Sequence, residues 1–320
     1  MSCTQALPVV SHFKPVTTIR AALDTATQRL TRIRQARQLP VANPRLDAQL
    51  LLCAILHKER SYLYMYPEQE LDAAQEARWL NWLAQRAEGE PVAYLIGQKS
   101  FYGLDFVVDR RVLIPRPETE LLVEAALAEC QKRLDNGQLP LIADIGTGSG
   151  AIPISIAVHE LRLPYLYACD ISADALAVAS LNCQRHDVTG RVRLLQGDLL
   201  EPLPEAVDLL LANLPYVGTD EQAIMTPDVL NYEPHLALFS GPAGLDLLKR
   251  LLSEASQNHK LRAGAVLLLE IGYRQCEPLT RLAQELWPTA HITCLRDYSG
   301  WDRLLQIKLL AQSSSGLHKD

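Results

Sequence analysis

A chain of 320 residues, 48% hydrophobic and 21% charged, has the composition of a globular protein long enough for two domains. Its net charge of −6 argues against a protein whose main work is gripping phosphate backbones. No apolar stretch approaches the roughly 20 residues that span a bilayer, and the N-terminus lacks the charged region and apolar core of a signal peptide.

Taken in chain order, residues 1–15 show no periodicity and read as a loose arm. Over 16–37, Ile19, Leu23, Leu30 and Ile33 recur at helical spacing. The polar positions of that helix carry Arg20, Arg29, Arg32, Arg34 and Arg37 against Asp24. This is either a solvated basic face or a docking face for an acidic partner. Pro44 opens a second apolar helix through Leu56, and a third covers 72–86 with Trp79, Leu80, Trp82 and Leu83. Short links between such helices predict a small bundle. Between 94 and 112 the pattern changes, and Phe101-Tyr102-Gly103-Leu104 predicts a hairpin between two β-favouring runs. Pro115-Arg116-Pro117-Glu118-Thr119-Glu120 then leads into a helix that ends near Asn136-Gly137.

From Leu139 onward strands and helices alternate. Strands are expected at 141–145, 165–169, 191–195, 207–212 and 265–271, with helices at 151–160, 173–185, 244–256 and 275–286. The strand runs are almost continuously apolar, as for a parallel sheet covered on both faces. Two further strands, near 291–294 and 304–309, are close enough to form a closing antiparallel pair, and 312–320 reads as a disordered polar tail.

Cys3, Cys53, Cys130, Cys169, Cys183, Cys276 and Cys294 are scattered without a C-x-x-C pair, which reads as a reduced, cytosolic set. The histidines form no ligand-spaced cluster, so no metal site is expected. Neither G-x-S-x-G nor a P-loop motif occurs.

The chemistry gathers after three of the strands. Asp144-Ile145-Gly146-Thr147-Gly148-Ser149-Gly150 follows the first strand and opens a helix, a turn that lets a ligand approach the backbone. Asp170 ends the second strand, where an acid commonly binds ribose hydroxyls. Asp198, after the third, suits an exocyclic amine such as adenine's. Asn213-Leu214-Pro215-Tyr216 follows the fourth, combining a carboxamide, a stiff bend and an aromatic face suited to a flat amide or base. Glu270 at the end of the fifth strand, and Glu233-Pro234 with Gly241-Pro242 in the long connection, read as structural or functional alike. Read as Gly146-x-Gly148-x-x-Ala151, the glycine turn also fits a nicotinamide oxidoreductase, although hydride transfer has no evident need for the Asn-Leu-Pro-Tyr turn.

Together these elements resemble class I S-adenosylmethionine-dependent methyltransferases that act on planar amino or amide nitrogens. Ile114–Glu120, Tyr232-Glu233-Pro234, the run from Leu238 to Leu245 and Leu269-Glu270-Ile271-Gly272 look like the bacterial release-factor glutamine methyltransferases, from about Leu46 onward. The resemblance implies a Rossmann-like, seven-stranded α/β methyltransferase domain at 117–311. Before it would stand a helical substrate-docking bundle at 16–97 and a linking hairpin at 98–116. Gly146, Thr147, Gly148, Ser149 and Gly150 would wrap the methionine part of the donor, Asp170 its ribose, and Asp198 with Leu199 its adenine. Asn213, Leu214, Pro215 and Tyr216 would hold the substrate glutamine, with Asn213 also touching the donor. Two positions depart from the family pattern: Leu214 stands where a proline is usual, and Leu199 where an aromatic is common.

The implied reaction is methylation of a glutamine side-chain amide nitrogen in a cytoplasmic peptide chain release factor, with S-adenosylmethionine as donor. No stable nucleic-acid or membrane partner is expected. The Asn213 side-chain oxygen and the Leu214 carbonyl would accept the two amide N–H bonds, and Tyr216 would stack on the amide plane. An adenine-N6 methyltransferase on DNA or RNA would use the same turn for a flipped base, but would be expected to carry a basic recognition region. A donor-binding interaction protein without activity is a further alternative.

Overall fold

The computed structural model describes residues 17–36 and 43–310. The expected arm at 1–15, the tail at 312–320, Cys3 and Arg37 lie outside the described residues. The chain forms two compact units that divide between Ile96 and Gly97.

The first unit is all helical: α1 (Ile19–Ala36), α2 (Pro44–Leu56), α3 (Arg60–Met65), α4 (Ala73–Glu88) and α5 (Val92–Ile96). Asn43 caps α2 by accepting from the Leu46 amide, and Asp72 forms a capping box with Gln75 at the start of α4. Ile19, Leu23, Leu51, Leu52, Trp79 and Leu83 fill its core. Arg86 is buried there, where it donates to Asp47 at 2.9 Å and to the carbonyls of Gly89 and Glu90. Arg20, Arg29 and Arg32 of α1 are exposed, and Arg20 is ion-paired with Glu68. The helical periodicity does not mark α3 and α5, which are only 6 and 5 residues long.

The second unit begins with a hairpin, β1 (Gln98–Phe101) and β2 (Leu104–Val107). Its Phe101 and Phe106 are buried in the main core of this unit, so the hairpin is packed into it. A 3-10 turn (Pro117–Thr119) leads into α6 (Glu120–Asp135). Then β3 (Ile142–Ile145), α7 (Ala151–His159), β4 (Leu166–Asp170), α8 (Ala173–Arg185), β5 (Val192–Gln196) and β6 (Val207–Ala212) alternate. A short helix α9 (Pro227–Tyr232) lies in the long connection before α10 (Asp246–Gln257), β7 (Leu261–Glu270) and α11 (Cys276–Leu286). The chain closes with β8 (His291–Arg296) and β9 (Asp302–Lys308).

The seven strands form one sheet in the order β5-β4-β3-β6-β7-β9-β8. Five are parallel, and β9 and β8 close the edge antiparallel. Along β6, Leu209 and Leu211 enter one core while Leu210 and Ala212 enter the other. Both faces are therefore covered, and each fully buried leucine contributes about 1.5–3 kcal/mol by leaving water. The chain builds outward from β3 through β4 to β5, then returns to place β6 on the other side of β3. That reversal makes a crevice at the carboxyl ends of β3 and β6.

One expectation fails. Cys276 at the start of α11 and Cys294 in β8 are joined as a disulfide, with Cα atoms 6.4 Å apart, so these two are not reduced thiols. Packing of α11 beside β8 brings them into bonding range, and a sequence separation of 18 carries no local pairing signal. They also lie near Asp302 in a group close enough to hold a metal ion, but sulfurs bonded to each other are not thiolate ligands. Cys130 and Cys169 remain buried thiols, each pushed up to about 12 by desolvation.

Candidate active site

The crevice holds a cavity of about 360 Å³, within the size range of small-ligand sites. Gly146, Thr147, Gly148 and Ser149 of the glycine turn, Asp170, Asp198 and Leu199 after the next two strands, and Asn213, Leu214 and Pro215 of the acceptor turn all line it. Of the positions expected from sequence, Gly150 and Tyr216 stand outside the wall. Gly150 caps α7. The Tyr216 ring packs with the second core of the unit.

The glycine turn is folded back on the end of β4, since the amides of Gly146 and Thr147 both donate to the Cys169 carbonyl at 2.9 Å. Asp170 holds it from the other side: one oxygen accepts from the Gly148 amide at 2.8 Å and the other from Ser172 at 2.9 Å. Desolvation raises the Asp170 pKa against the pull of these bonds. Buried Asn182 of α8 donates to the Ser149 carbonyl at 2.8 Å and bonds both polar groups of Val107, tying turn and hairpin together.

Behind the turn, Asp144 in β3 is wholly buried, and among the described residues neither its oxygens nor the nearby Thr147 hydroxyl has a hydrogen-bond partner. Burial pushes the Asp144 carboxyl up to about 7, with the Asp170 charge adding to the rise. Asp198 is half-exposed and ion-pairs through Oδ2 with Arg250 of α10. Leu199 is buried at a positive φ of 44°, an uncommon backbone state for leucine that often marks functional loops.

On the acceptor side, Asn213 Nδ2 donates to the Thr119 hydroxyl at 3.0 Å, leaving Oδ1 without a donor among the described residues. Leu214 is buried and leans over the glycine turn. Gly146 lies at a φ of +75°, the left-handed region that favours glycine, and a Cβ there would lie 2.7 Å from Leu214 Cδ2. The far end of the turn is clamped by Gln275, whose Nε2 donates to the carbonyls of Tyr216, Ala243 and Gly244 while Oε1 accepts from the Gly272 amide. Gly244 must lack a side chain, because its Cβ would stand 2.0 Å from the Tyr216 oxygen at a φ of +71°. Glu233, almost fully buried, accepts from the Ile114 amide and from Arg116 at 2.5 Å. It ties the segment before α6 to the long connection, whose Pro234, Leu236 and Ala237 complete the cavity wall.

Sequence reasoning located the glycine turn, both acids and the acceptor turn. It missed Asp144 as a buried orphan and gave no role to Thr119 or Gln275. A charged residue inside an otherwise apolar strand was the available signal for Asp144; Gln275 carried none.

A doubly covered sheet of this strand order, with a glycine turn and an Asn-Leu-Pro-Tyr turn side by side at its switch point, defines a methyltransferase of the Rossmann-like class. Residues 21–97 match the PrmC N-terminal domain, and residues 119–231 match the methyltransferase small domain. A release factor glutamine methyltransferase of Koribacter versatilis is 38% identical over 84% of this chain and 91% of its own length. One of Moorella thermoacetica is 42% identical over 89% of this chain and 96% of its own. The chain belongs to the release factor glutamine methyltransferase family. Among solved structures, the hMettl16 catalytic domain in complex with a MAT2A 3′UTR hairpin superposes with a TM-score of 0.52 at 15% identity, covering 77% of this chain and 85% of that one. That likeness is one of fold.

Proposed function

We propose that this protein methylates the side-chain amide nitrogen of a glutamine in a peptide chain release factor, with S-adenosylmethionine as the donor. The observation that carries the reading is the Asn213 carboxamide. It is fixed through its nitrogen, keeps its oxygen available, and shares one cavity with the glycine turn.

The residues present suit the donor. Asp144 and Thr147 offer buried, unpartnered polar atoms beneath a glycine cradle, which suits a cationic amino-acid ligand. Gly146, Thr147, Gly148 and Ser149 would hold its methionine part, and Gly150 would start the supporting helix. Asp170 keeps acceptor capacity for ribose hydroxyls, and Asp198 with Leu199 would take the adenine. When bound, S-adenosylmethionine supplies a methyl group activated by a sulfonium.

A carboxamide nitrogen is a weak nucleophile because its lone pair is delocalised into the carbonyl. The protein's task is therefore placement rather than strong base catalysis. Asn213 Oδ1 and the Leu214 carbonyl accept the two N–H bonds of the substrate amide, which aims the nitrogen and stabilises positive charge developing on it. The proton leaves after transfer, so no dedicated base is needed. Leu214 serves through its backbone carbonyl, which every residue type has. To Tyr216 we assign anchoring of the turn, since its carbonyl is gripped by Gln275 and its ring lies outside the cavity wall. The helical unit is assigned to docking of the release factor. We place the activity in the cytoplasm, where translation occurs; no helix among the described residues is long and apolar enough to cross a membrane.

The test is direct. The purified protein is incubated with labelled S-adenosylmethionine and release factor, duplex DNA or ribosomal RNA. Label on a glutamine-containing tryptic peptide is the expected result, and label on nucleic acid alone overturns the reading.

A further inference from the structure

Behind the acceptor turn stands a buried acid that the mechanism above does not use. Glu270 closes β7, and the pairing of Ala212 with Leu269 brings it level with Asn213 on the neighbouring strand. It is 1% exposed, and neither carboxylate oxygen has a hydrogen-bond partner among the described residues. The groups that face it are Thr119 and Glu118 from the turn opening α6, Tyr216 from the acceptor turn, and Arg303 from β9. Thr119 is buried too, and its oxygen already accepts from Asn213 Nδ2 at 3.0 Å.

A hydroxyl carries one proton to donate and lone pairs to accept with, whereas an ionised carboxylate only accepts. Beside an orphaned carboxylate, the Thr119 proton has one favourable direction, because a buried acceptor left unsatisfied keeps the full penalty of losing its water. The Thr119 oxygen is then an obligate acceptor toward Asn213. Were the proton turned toward Asn213 instead, the carboxamide would have to rotate to meet it with oxygen. Its NH2 group would face the cavity, and two donors would confront each other where the substrate amide docks.

We propose that Glu270 is a positioning residue for the acceptor pocket: by drawing the Thr119 proton it fixes the orientation of the Asn213 carboxamide and keeps Oδ1 toward the substrate nitrogen. The inference deepens the proposed function and rests on Asn213 receiving the substrate amide.

Two near-isosteric variants, Thr119→Val and Glu270→Gln, test it, with Thr119→Ser as the conservative rescue. In methyl transfer to release factor, Thr119→Val and Glu270→Gln lower kcat by about 10–100-fold, with donor affinity unchanged by calorimetry, and Thr119→Ser restores most of the rate. In the wild type, kcat falls as the pH drops through the range in which Glu270 takes up a proton, a range that burial has pushed up to about 7. Glu270→Gln removes that limb, which a merely structural role would leave in place. A readout free of turnover is the proton exchange of the Asn213 side-chain amide in protein labelled with 15N-asparagine, its signals identified by their loss in N213D. Exchange is slow in the wild type and faster in both variants.

Unchanged kcat and unchanged exchange in Thr119→Val and Glu270→Gln overturn the proposal. A wild-type protein that fails to label release factor yet shows the exchange response keeps the relay and overturns the substrate reading instead.

Discussion

The two halves of the site are held by different means. The donor half is mostly backbone: one contiguous turn, folded onto the next strand by its own amides and steadied by Asp170. The acceptor half is a turn of similar length whose geometry comes from afar. Thr119 fixes its first side chain, Gln275 its last carbonyl, and Gly244 leaves room for the chain beside it. A site for a shared cofactor can be written locally in sequence. A site for one amide among many is held from several directions, so it should fail separately from the donor half.

The sharpest way to break that separation is Asn213→Ala. Loss of an oriented acceptor should lower kcat by about 10²–10³-fold while calorimetry finds donor affinity largely retained; a parallel loss of donor binding of the same size would show that the halves are one unit. Gly244→Ala comes next. It forces a Cβ onto the Tyr216 carbonyl, and a steric conflict of this kind costs about 1–3 kcal/mol, read as a lower thermal midpoint and a slower methyl transfer. On the donor side, Asp170→Ala should weaken S-adenosylmethionine binding by about tenfold, roughly 1.4 kcal/mol, with the rate at saturating donor largely retained.

A pH experiment sharpens the comparison without touching either turn. Asp144 has its folded pKa raised from 3.8 to about 7 by burial, so the folded protein binds its proton more tightly than the unfolded chain does. The stability this contributes is fully present below the unfolded value and is lost as pH rises to about 7. Thermal midpoints of Asp144→Asn, which stays neutral, should fall less over that window than those of the wild type. The smallest effect belongs to Leu214→Pro. Proline stiffens the turn, worth about 0.4–1 kcal/mol, but removes the leucine contact over Gly146, so kcat should stay within about threefold of the wild type.

How much of this was legible follows the same division. The bounds 207–212 and 173–185 follow from the sequence as β6 and α8 stand, because one is apolar but for Asp208 and the other is capped by Ser172. By contrast, α3 and α5 are too short to show a period. β7 begins at Leu261, before the expected 265, because Arg262 is accommodated there by ion pairs to Asp208 and Glu205 that no local pattern announces. The donor turn could be located because its residues are neighbours in sequence. Thr119, Glu270 and Gln275 converge on the acceptor turn from three separate segments, so their roles exist only in the folded chain. The bond between Cys276 and Cys294 was invisible for the same reason.

The pairing of Ile145 with Ala212 across β3 and β6 carries one more consequence. The glycine turn leaves the sheet one residue after Ile145, and Asn213 leaves it one residue after Ala212, on adjacent strands in register. Neighbouring strands lie about 4.8 Å apart. The sheet therefore acts as a ruler between the two loops. Substitutions in either loop change how firmly each ligand is gripped, while the spacing between their anchor points belongs to the ladder of backbone bonds beneath them.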